Sequence, residues 1–253
     1  MSEQTPIDAP LTVVLVHGAF ADSSSWNGVI ERLQAAGIQV AAPANPLRGI
    51  AHDSAYTASF LKQIPGPVLL VGHSYGGAVI SNAATDVENV VGLVFVAAFA
   101  TDDGERLGEV TPDSRDSVLM SALAPLQYPT GNGQDTAVEF AIDPAKFHDA
   151  FAADLPAEQT AVMAATQRPV AETAFSEASG PPAWKSRPSW AVVATGDKAA
   201  GTDLVRSMAE RAGATITEVE GSHVIMISEP EAVADVIQTA AATVDRVATG
   251  VRG

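Results

Sequence analysis

Ser74 stands in the pentapeptide Gly72-His73-Ser74-Tyr75-Gly76, with the apolar run Val68–Val71 before it and a string of small residues after it. A serine hydroxyl at its ordinary pKa is a weak nucleophile, so any chemistry at this position needs a base to take its proton and an acid to orient the base. A simple turn from strand to helix needs at most one glycine, yet Gly72, Gly76 and Gly77 all lie here. G-x-S-x-G between a strand and a helix is the spacing of a sharp, strained turn that presents a serine at the end of a sheet. The competing reading is an N-cap serine in a nucleotide-binding loop, but the stretch has neither G-x-G-x-x-G nor a phosphate-binding lysine.

The base must come from five histidines. His17 and His73 end apolar runs beside Gly18 and Ser74 and suit structural roles under the turns. His52 opens a helical stretch and His148 lies in an irregular region, so both suit solvated or lining positions. His223, in "GSHVIM", follows the last strand-like run, at the edge where sites of open α/β sheets gather. It also completes the chain order serine, acid, histidine. The acid belongs at a strand end between Ser74 and His223. Asp197 in "VATGDK" is preferred over Asp102 and Asp103, which suit a solvated turn, and over Asp203, which suits a helix cap. An oxyanion formed by attack on a carbonyl needs two backbone N–H donors. Tyr75, the residue after the serine, supplies one. Ala19, in the loop after the first strand, supplies the other, with Phe20 as a second candidate for it.

These residues require a frame that brings several strand ends together. The chain of 253 residues, 47% hydrophobic and 6% aromatic, is long enough for one large α/β domain spanning 1–253. Short apolar runs bounded by Gly, Pro or Asp lie at 11–18, 38–44, 67–73, 90–100, 189–197 and 214–221. Runs so continuously apolar suit strands covered on both faces, as in a parallel sheet. Amphipathic stretches from about Ser24, at His52–Ile64, Tyr75–Thr85 and Asp203–Ala212, and from Glu229 to about Val247 alternate with them, giving a right-handed βαβ series of about six strands. Between Thr101 and Arg187 the alternation stops and eight prolines intervene. A structureless loop of that length is unusual, so this segment reads as a small helical insertion over the sheet edge. Its Tyr128, Phe140, Phe147, Phe151, Met163 and Trp184 would form an apolar lid or simply the lid's own core.

Composition narrows the function classes. Acidic residues outnumber basic ones 30 to 14, for a formal charge of −16, which opposes binding to nucleic acid or anionic lipid. The chain has no cysteine, which removes disulfides, thiolate nucleophiles and cysteine metal sites. No cofactor or metal is expected. The first ten residues lack the pattern of a signal peptide and read as a loose tail, so a cytoplasmic location is expected. The longest apolar run, Val90–Ala100, is shorter than the ~20 residues of a membrane span.

At these motifs the chain resembles the α/β-hydrolase superfamily, in particular its plant methylesterase and hydroxynitrile lyase branch. "VVLVHGAFADSSSW", "VLLVGHSYGGAVI", "GLVFVAAFATDDGE", "TGDK" and "GSHVIMISEPEAVADVI" carry the resemblance, which covers the chain outside the insertion. It implies the α/β-hydrolase fold with a cap at 101–187, a triad of Ser74, Asp197 and His223, and Ala19 and Tyr75 as oxyanion donors. Within the branch, the lyases carry threonine where Gly18 stands and lysine where Val224 stands, whereas esterase-type members have glycine and an apolar residue. The resemblance therefore implies an ester hydrolase for small to medium apolar substrates, with a homodimer compatible. The alternatives are a ligand receptor on the same scaffold, a hydroxynitrile lyase or a cofactor-free perhydrolase.

Overall fold

The computed structural model describes residues 9–250 apart from 132, so residues 1–8 of the expected N-terminal tail lie outside the described residues. Among the described residues nine strands occur in chain order: β1 (Thr12–Val16), β2 (Gln39–Ala41), β3 (Val68–His73), β4 (Val90–Val96), β5 (Leu123–Pro129), β6 (Thr136–Ile142), β7 (Val170–Ala171), β8 (Ser189–Ala194) and β9 (Thr215–Val219). Six of them form a sheet of order β2-β1-β3-β4-β8-β9 in which every pairing is parallel. All residues of β1 and β3 are buried, because helices cover both faces of the central strands, and this is why their sequences run apolar without alternation. The edge strands β2 and β9 are half-exposed and correspondingly more polar.

The main helices follow the expected stretches: α1 (Asn27–Ala35), α2 (Ile50–Leu61) and α3 (Tyr75–Ala83) before the insertion. Within it come α4 (Leu107–Val110), α5 (Leu119–Ala122), α6 (Pro144–Phe151), α7 (Ala157–Thr166) and α8 (Thr173–Ser176). After it come α9 (Thr202–Arg211), α10 (Ile225–Ser228) and α11 (Pro230–Gly250). Helix α1 packs on α11, and α2 packs on α3. Among the described residues no helix is long and apolar enough to cross a membrane.

Strand β4 stops at Val96, short of the expected end of the apolar run, because Ala97 takes φ 44° and turns the chain. Residues 97–100 stay buried as a loop, and the Phe99 amide donates to the Ser74 carbonyl at 3.2 Å. Between β4 and β8 the insertion is not purely helical, since β5, β6 and β7 form an antiparallel sheet in that order. Helix α6 starts as its sequence suggests, with Asp143 accepting from the Ala145 amide at 3.0 Å and Pro144 in the first turn.

The insertion covers the edge formed by the carboxyl ends of the parallel strands. Its Arg168 carbonyl accepts from the Phe20 amide after β1 (3.2 Å), and the Val118 amide donates to the Lys198 carbonyl after β8 (2.8 Å). Asp154 accepts from the Ser222 amide after β9 at 2.8 Å. The loop after β2 is tied as well: the Ala171 amide donates to the Leu47 carbonyl at 2.9 Å, and Arg48 pairs with Glu139 at 2.9 Å.

Candidate active site

Ser74 joins β3 to α3 with φ 53° and ψ −125°, a left-handed conformation that costs a non-glycine residue about 1–3 kcal/mol. Its surroundings hold it there: the Ser74 amide donates to the Val96 carbonyl (3.3 Å), and its own carbonyl accepts from Gly77 and Phe99 amides (2.9 and 3.2 Å). The three glycines make this crowding possible. A Cβ on Gly72 would lie 2.6 Å from the Gly76 carbonyl oxygen, one on Gly76 2.5 Å from that of Val16, and one on Gly77 2.7 Å from that of Phe99. Strand, helix and neighbouring loops thus meet where side chains have no room. Gly18 belongs to the same cluster, since a Cβ there would sit 2.6 Å from the Ser74 Cβ.

His223 follows β9 and its Nδ1 meets Asp197 Oδ2 at 2.8 Å, both residues being almost fully buried. With Nδ1–H donating to the carboxylate, the Nε2 lone pair is left for another partner. The other oxygen of Asp197 accepts from the Ala199 and Ala200 amides at 2.9 and 3.0 Å, so the carboxylate is fixed from its far side. Ser74, His223, Ala19 and Tyr75 line one enclosed cavity of about 20 Å³. As the first residue of α3, Tyr75 carries one of the amides that a helix leaves without an internal partner. The Phe20 amide is already engaged with Arg168, so the structure removes Phe20 from the expected oxyanion donors while placing its side chain in the cavity wall.

The remaining acids and histidines lie elsewhere. Asp102 pairs with Lys185, and Asp103 is exposed. Asp203 does not cap α9, whose N-cap is Gly201; it accepts from the Ser114 hydroxyl and, at 2.9 Å, from the Arg115 amide, tying the insertion to the helix. His52 is largely exposed and contacts Asp53 at 3.1 Å, while His148 contacts Asp149 and the Leu155 carbonyl. His17 is buried, donating from Nδ1 to the Gly18 carbonyl (2.8 Å) and accepting the Asn45 amide at Nε2 (2.9 Å). Burial, partly offset by that bond to Gly18, lowers its pKa to about 4 and keeps the ring neutral. His73 donates from Nε2 to the His223 carbonyl at 2.9 Å, bracing the backbone of the residue paired with Asp197, and burial holds its pKa well below the usual histidine range.

Two features escape motif reading. Tyr75 donates its hydroxyl to Asp53 Oδ2 at 2.8 Å, and Asp53, with no exposed surface, also accepts the Arg48 amide. Burial raises the Tyr75 pKa well above its usual value, so the hydroxyl stays a donor. The available signal was a carboxylate on the inward face of α2, in step with Ile50, Thr57 and Leu61. The cavity walls were also unforeseen: Phe99, Leu107, Leu119, Val170, Ala174 and Phe175 line it, whereas of the aromatic and methionine residues expected to form a lid only Phe151 does. The Phe151 ring lies 5.1 Å from His223 and 6.1 Å from Phe20. Tyr128 instead sits under Arg48, and Trp184 donates to the Thr101 carbonyl.

Residues 13–236 match the alpha/beta hydrolase family, and the chain belongs to it. Among curated proteins it is 34% identical over 112 residues to lipase LipV of Mycobacterium tuberculosis, covering 40% of this chain and 42% of that protein. It is 31% identical over 114 residues to a pyrethroid hydrolase of Sphingobium wenxiniae, covering 40% and 39%. The matches thus span about two fifths of each relative's length. Among solved structures, polyneuridine aldehyde esterase superposes with a TM-score of 0.77 at 20% identity, covering 92% of this chain and all of that one. A methylesterase from Arabidopsis superposes with a TM-score of 0.73 at 18% identity, covering 92% and 99%. These likenesses establish the fold, in line with the resemblance to the plant methylesterase branch.

Proposed function

We propose that the protein is a serine hydrolase of carboxylic esters, with Ser74 as nucleophile, His223 as base and Asp197 as the acid that orients it. The observation that carries this reading is the convergence of a strained strand-to-helix serine and an Asp-anchored histidine on one cavity. Ser74 Oγ attacks the ester carbonyl as His223 Nε2 takes its proton, forming a tetrahedral oxyanion. The Ala19 and Tyr75 amides stabilise that charge. Collapse breaks the bond to the alcohol oxygen, which receives the proton from His223, and leaves Ser74 acylated. Water then adds by the same route, its proton passing through His223, to release the acid and restore the serine. Segment 101–187 acts as a cap on a single hydrolase domain.

The names of the lipase and pyrethroid hydrolase relatives support ester chemistry. Gly18 and Val224 favour it over cyanohydrin cleavage, because glycine offers no side-chain donor to a substrate hydroxyl and the fully buried valine no charge for departing cyanide. The test is labelling by a fluorophosphonate together with turnover of p-nitrophenyl acetate. The wild type is expected to label and cycle, and Ser74→Ala to lose both, its rate falling by about 10⁴-fold or more. Labelling or full turnover in Ser74→Ala overturns the assignment, and hydrolysis that ends after one turnover indicates a receptor.

A further inference from the structure

Asp53 has no exposed surface and takes no part in the chemistry of Ser74, Asp197 and His223. Burying a carboxylate without partners is costly, so its contacts show what offsets that cost. Oδ2 accepts the Tyr75 hydroxyl at 2.8 Å, Oδ1 and Oδ2 accept the Arg48 amide at 3.1 and 3.0 Å, and His52 Nδ1 lies 3.1 Å from Oδ1. Its place in the first turn of α2 adds the favourable end of the helix dipole. Of these partners Tyr75 is the one that also lines the cavity of Ser74 and His223.

We infer that Asp53 is a positioning residue for the oxyanion hole: by holding the Tyr75 hydroxyl it fixes the residue whose backbone amide is to meet the oxyanion. The inference rests on the ester hydrolase reading and names what keeps one of its two donors in place. Tyr75 is the first residue of α3, so its amide has no partner from the helix. Before it stands Ser74 in its strained left-handed conformation, and rotation at that residue would turn the peptide plane that carries the amide. The plane is gripped on its carbonyl side, where Ser74 accepts from the Gly77 and Phe99 amides. On the other side the buried Tyr75 ring reaches away from the backbone and is pinned at its far end by Asp53.

Asp53 can serve as an anchor because α2 is itself held. The Ser54 hydroxyl donates to the Val79 carbonyl of α3 at 3.2 Å. The chain entering α2 is a seat of the insertion: the Ala171 amide donates to the Leu47 carbonyl (2.9 Å), the Thr173 hydroxyl to the Arg48 carbonyl (2.8 Å), and Glu177 accepts from the Ala51 amide (3.0 Å). The Arg48 amide that donates to Asp53 lies within that seat. A seated cap and an aligned oxyanion donor are thereby joined through one carboxylate.

Three variants test this. Tyr75→Phe removes the hydroxyl and keeps the ring, and Asp53→Ala removes the anchor. Asp53→Asn keeps an oxygen for Tyr75 and Arg48 while its NH₂ faces the exposed His52. Each is assayed on p-nitrophenyl acetate, with active sites counted from the end point of fluorophosphonate labelling so that misfolded protein does not enter the rate. Tyr75→Phe and Asp53→Ala are each expected to lower kcat/KM about tenfold, less than the roughly 10²–10³-fold of an absent donor because Gly77 and Phe99 still hold the Ser74 carbonyl. The double variant should lose no more than either alone, and Asp53→Asn should restore most of what Asp53→Ala loses. The inhibition constant of 1,1,1-trifluoroacetone, whose adduct with Ser74 is a tetrahedral oxyanion, should rise about tenfold in the same two variants, a change that lowered stability alone does not produce. Should Asp53→Ala melt below the assay temperature, Tyr75→Phe decides the matter alone. Wild-type kcat/KM in Tyr75→Phe overturns the inference, as does a fall in kcat/KM without a rise in that inhibition constant, or losses that add fully in the double variant. A wild type that neither labels nor cycles removes the hydrolase reading itself, and with it the hole that Asp53 would serve.

Discussion

Asp197→Asn changes one atom, yet the surroundings of that side chain dictate how the new amide must sit. The oxygen that accepts the Ala199 and Ala200 amides has to remain an oxygen, because an NH₂ there would face two N–H donors. The introduced NH₂ then points at His223 Nδ1, which must become an acceptor, and the ring proton moves to Nε2, the atom that should receive the proton of Ser74. Turning the amide over restores the useful tautomer but strands two buried donors, at about 1–3 kcal/mol each. That total, about 2–6 kcal/mol, corresponds to a loss of roughly 30-fold to 10⁴-fold in kcat/KM. The upper end matches the loss typical of such a change in a serine triad. The assay is kcat/KM for p-nitrophenyl acetate, with the rate of fluorophosphonate labelling as an independent measure, and the melting temperature should stay close to wild type because the hydrogen bonds are kept. The exposed Asp103→Asn serves as the control and should change little. A loss of less than about tenfold in Asp197→Asn would refute the reasoning, because the tautomer would not be set by this carboxylate.

Gly18→Ala places a Cβ 2.6 Å from that of Ser74 and 2.9 Å from the His73 carbonyl oxygen, so kcat for p-nitrophenyl acetate should fall by about 10²-fold through displacement of the serine or the Ala19 amide. Wild-type kcat in this variant would mean that the backbone yields there without consequence. Stability should decline as pH falls from about 6.5 to about 4: burial depresses the His17 pKa to about 4 in the folded protein, so across that window the unfolded chain binds a proton that the folded one refuses. His17 alone contributes roughly 3 kcal/mol to this decline, and His73 acts in the same direction. Urea midpoints at pH 7, 5 and 4 measure it. His17→Gln should flatten the profile, and a wild-type midpoint independent of pH would contradict the neutral buried ring.

The parallel sheet and the Ser74, Asp197 and His223 positions were legible because each carries a local signature: continuous apolar runs, crowded glycines, and polar residues where such runs end. Hydrophobicity alone does not mark where a strand stops, and the run from Val90 to Ala100 hides the turn that Ala97 makes while still buried. The hairpin of β5 and β6 was obscured by Pro125 and Pro129, which usually argue against a strand and are tolerated here because β5 is an edge. Cavity walls such as Leu119, Val170 and Phe175 come from three separate pieces of the insertion, and no spacing in the chain links them. Asp53 stayed hidden because its partner, the Tyr75 hydroxyl, is 22 residues away on another helix.

The six-stranded sheet has one seam with a particular meaning, the pairing of Leu93–Val96 in β4 with Ser189–Val192 in β8. Ala19, Ser74 and Tyr75 belong to the half of the sheet on one side of it, Asp197 and His223 to the half on the other. The chain leaves one half and enters the other only after traversing the whole insertion. A slip of one residue along the seam, about 3.3 Å, would reverse the facing of β8 and carry the histidine away from the serine. The insertion is under no such constraint of register. The contacts that the insertion must keep to stay seated on the strand ends are few, Arg168 with Phe20 and Asp154 with Ser222 among them, whereas the meeting of Ser74 with His223 depends on the register of the seam.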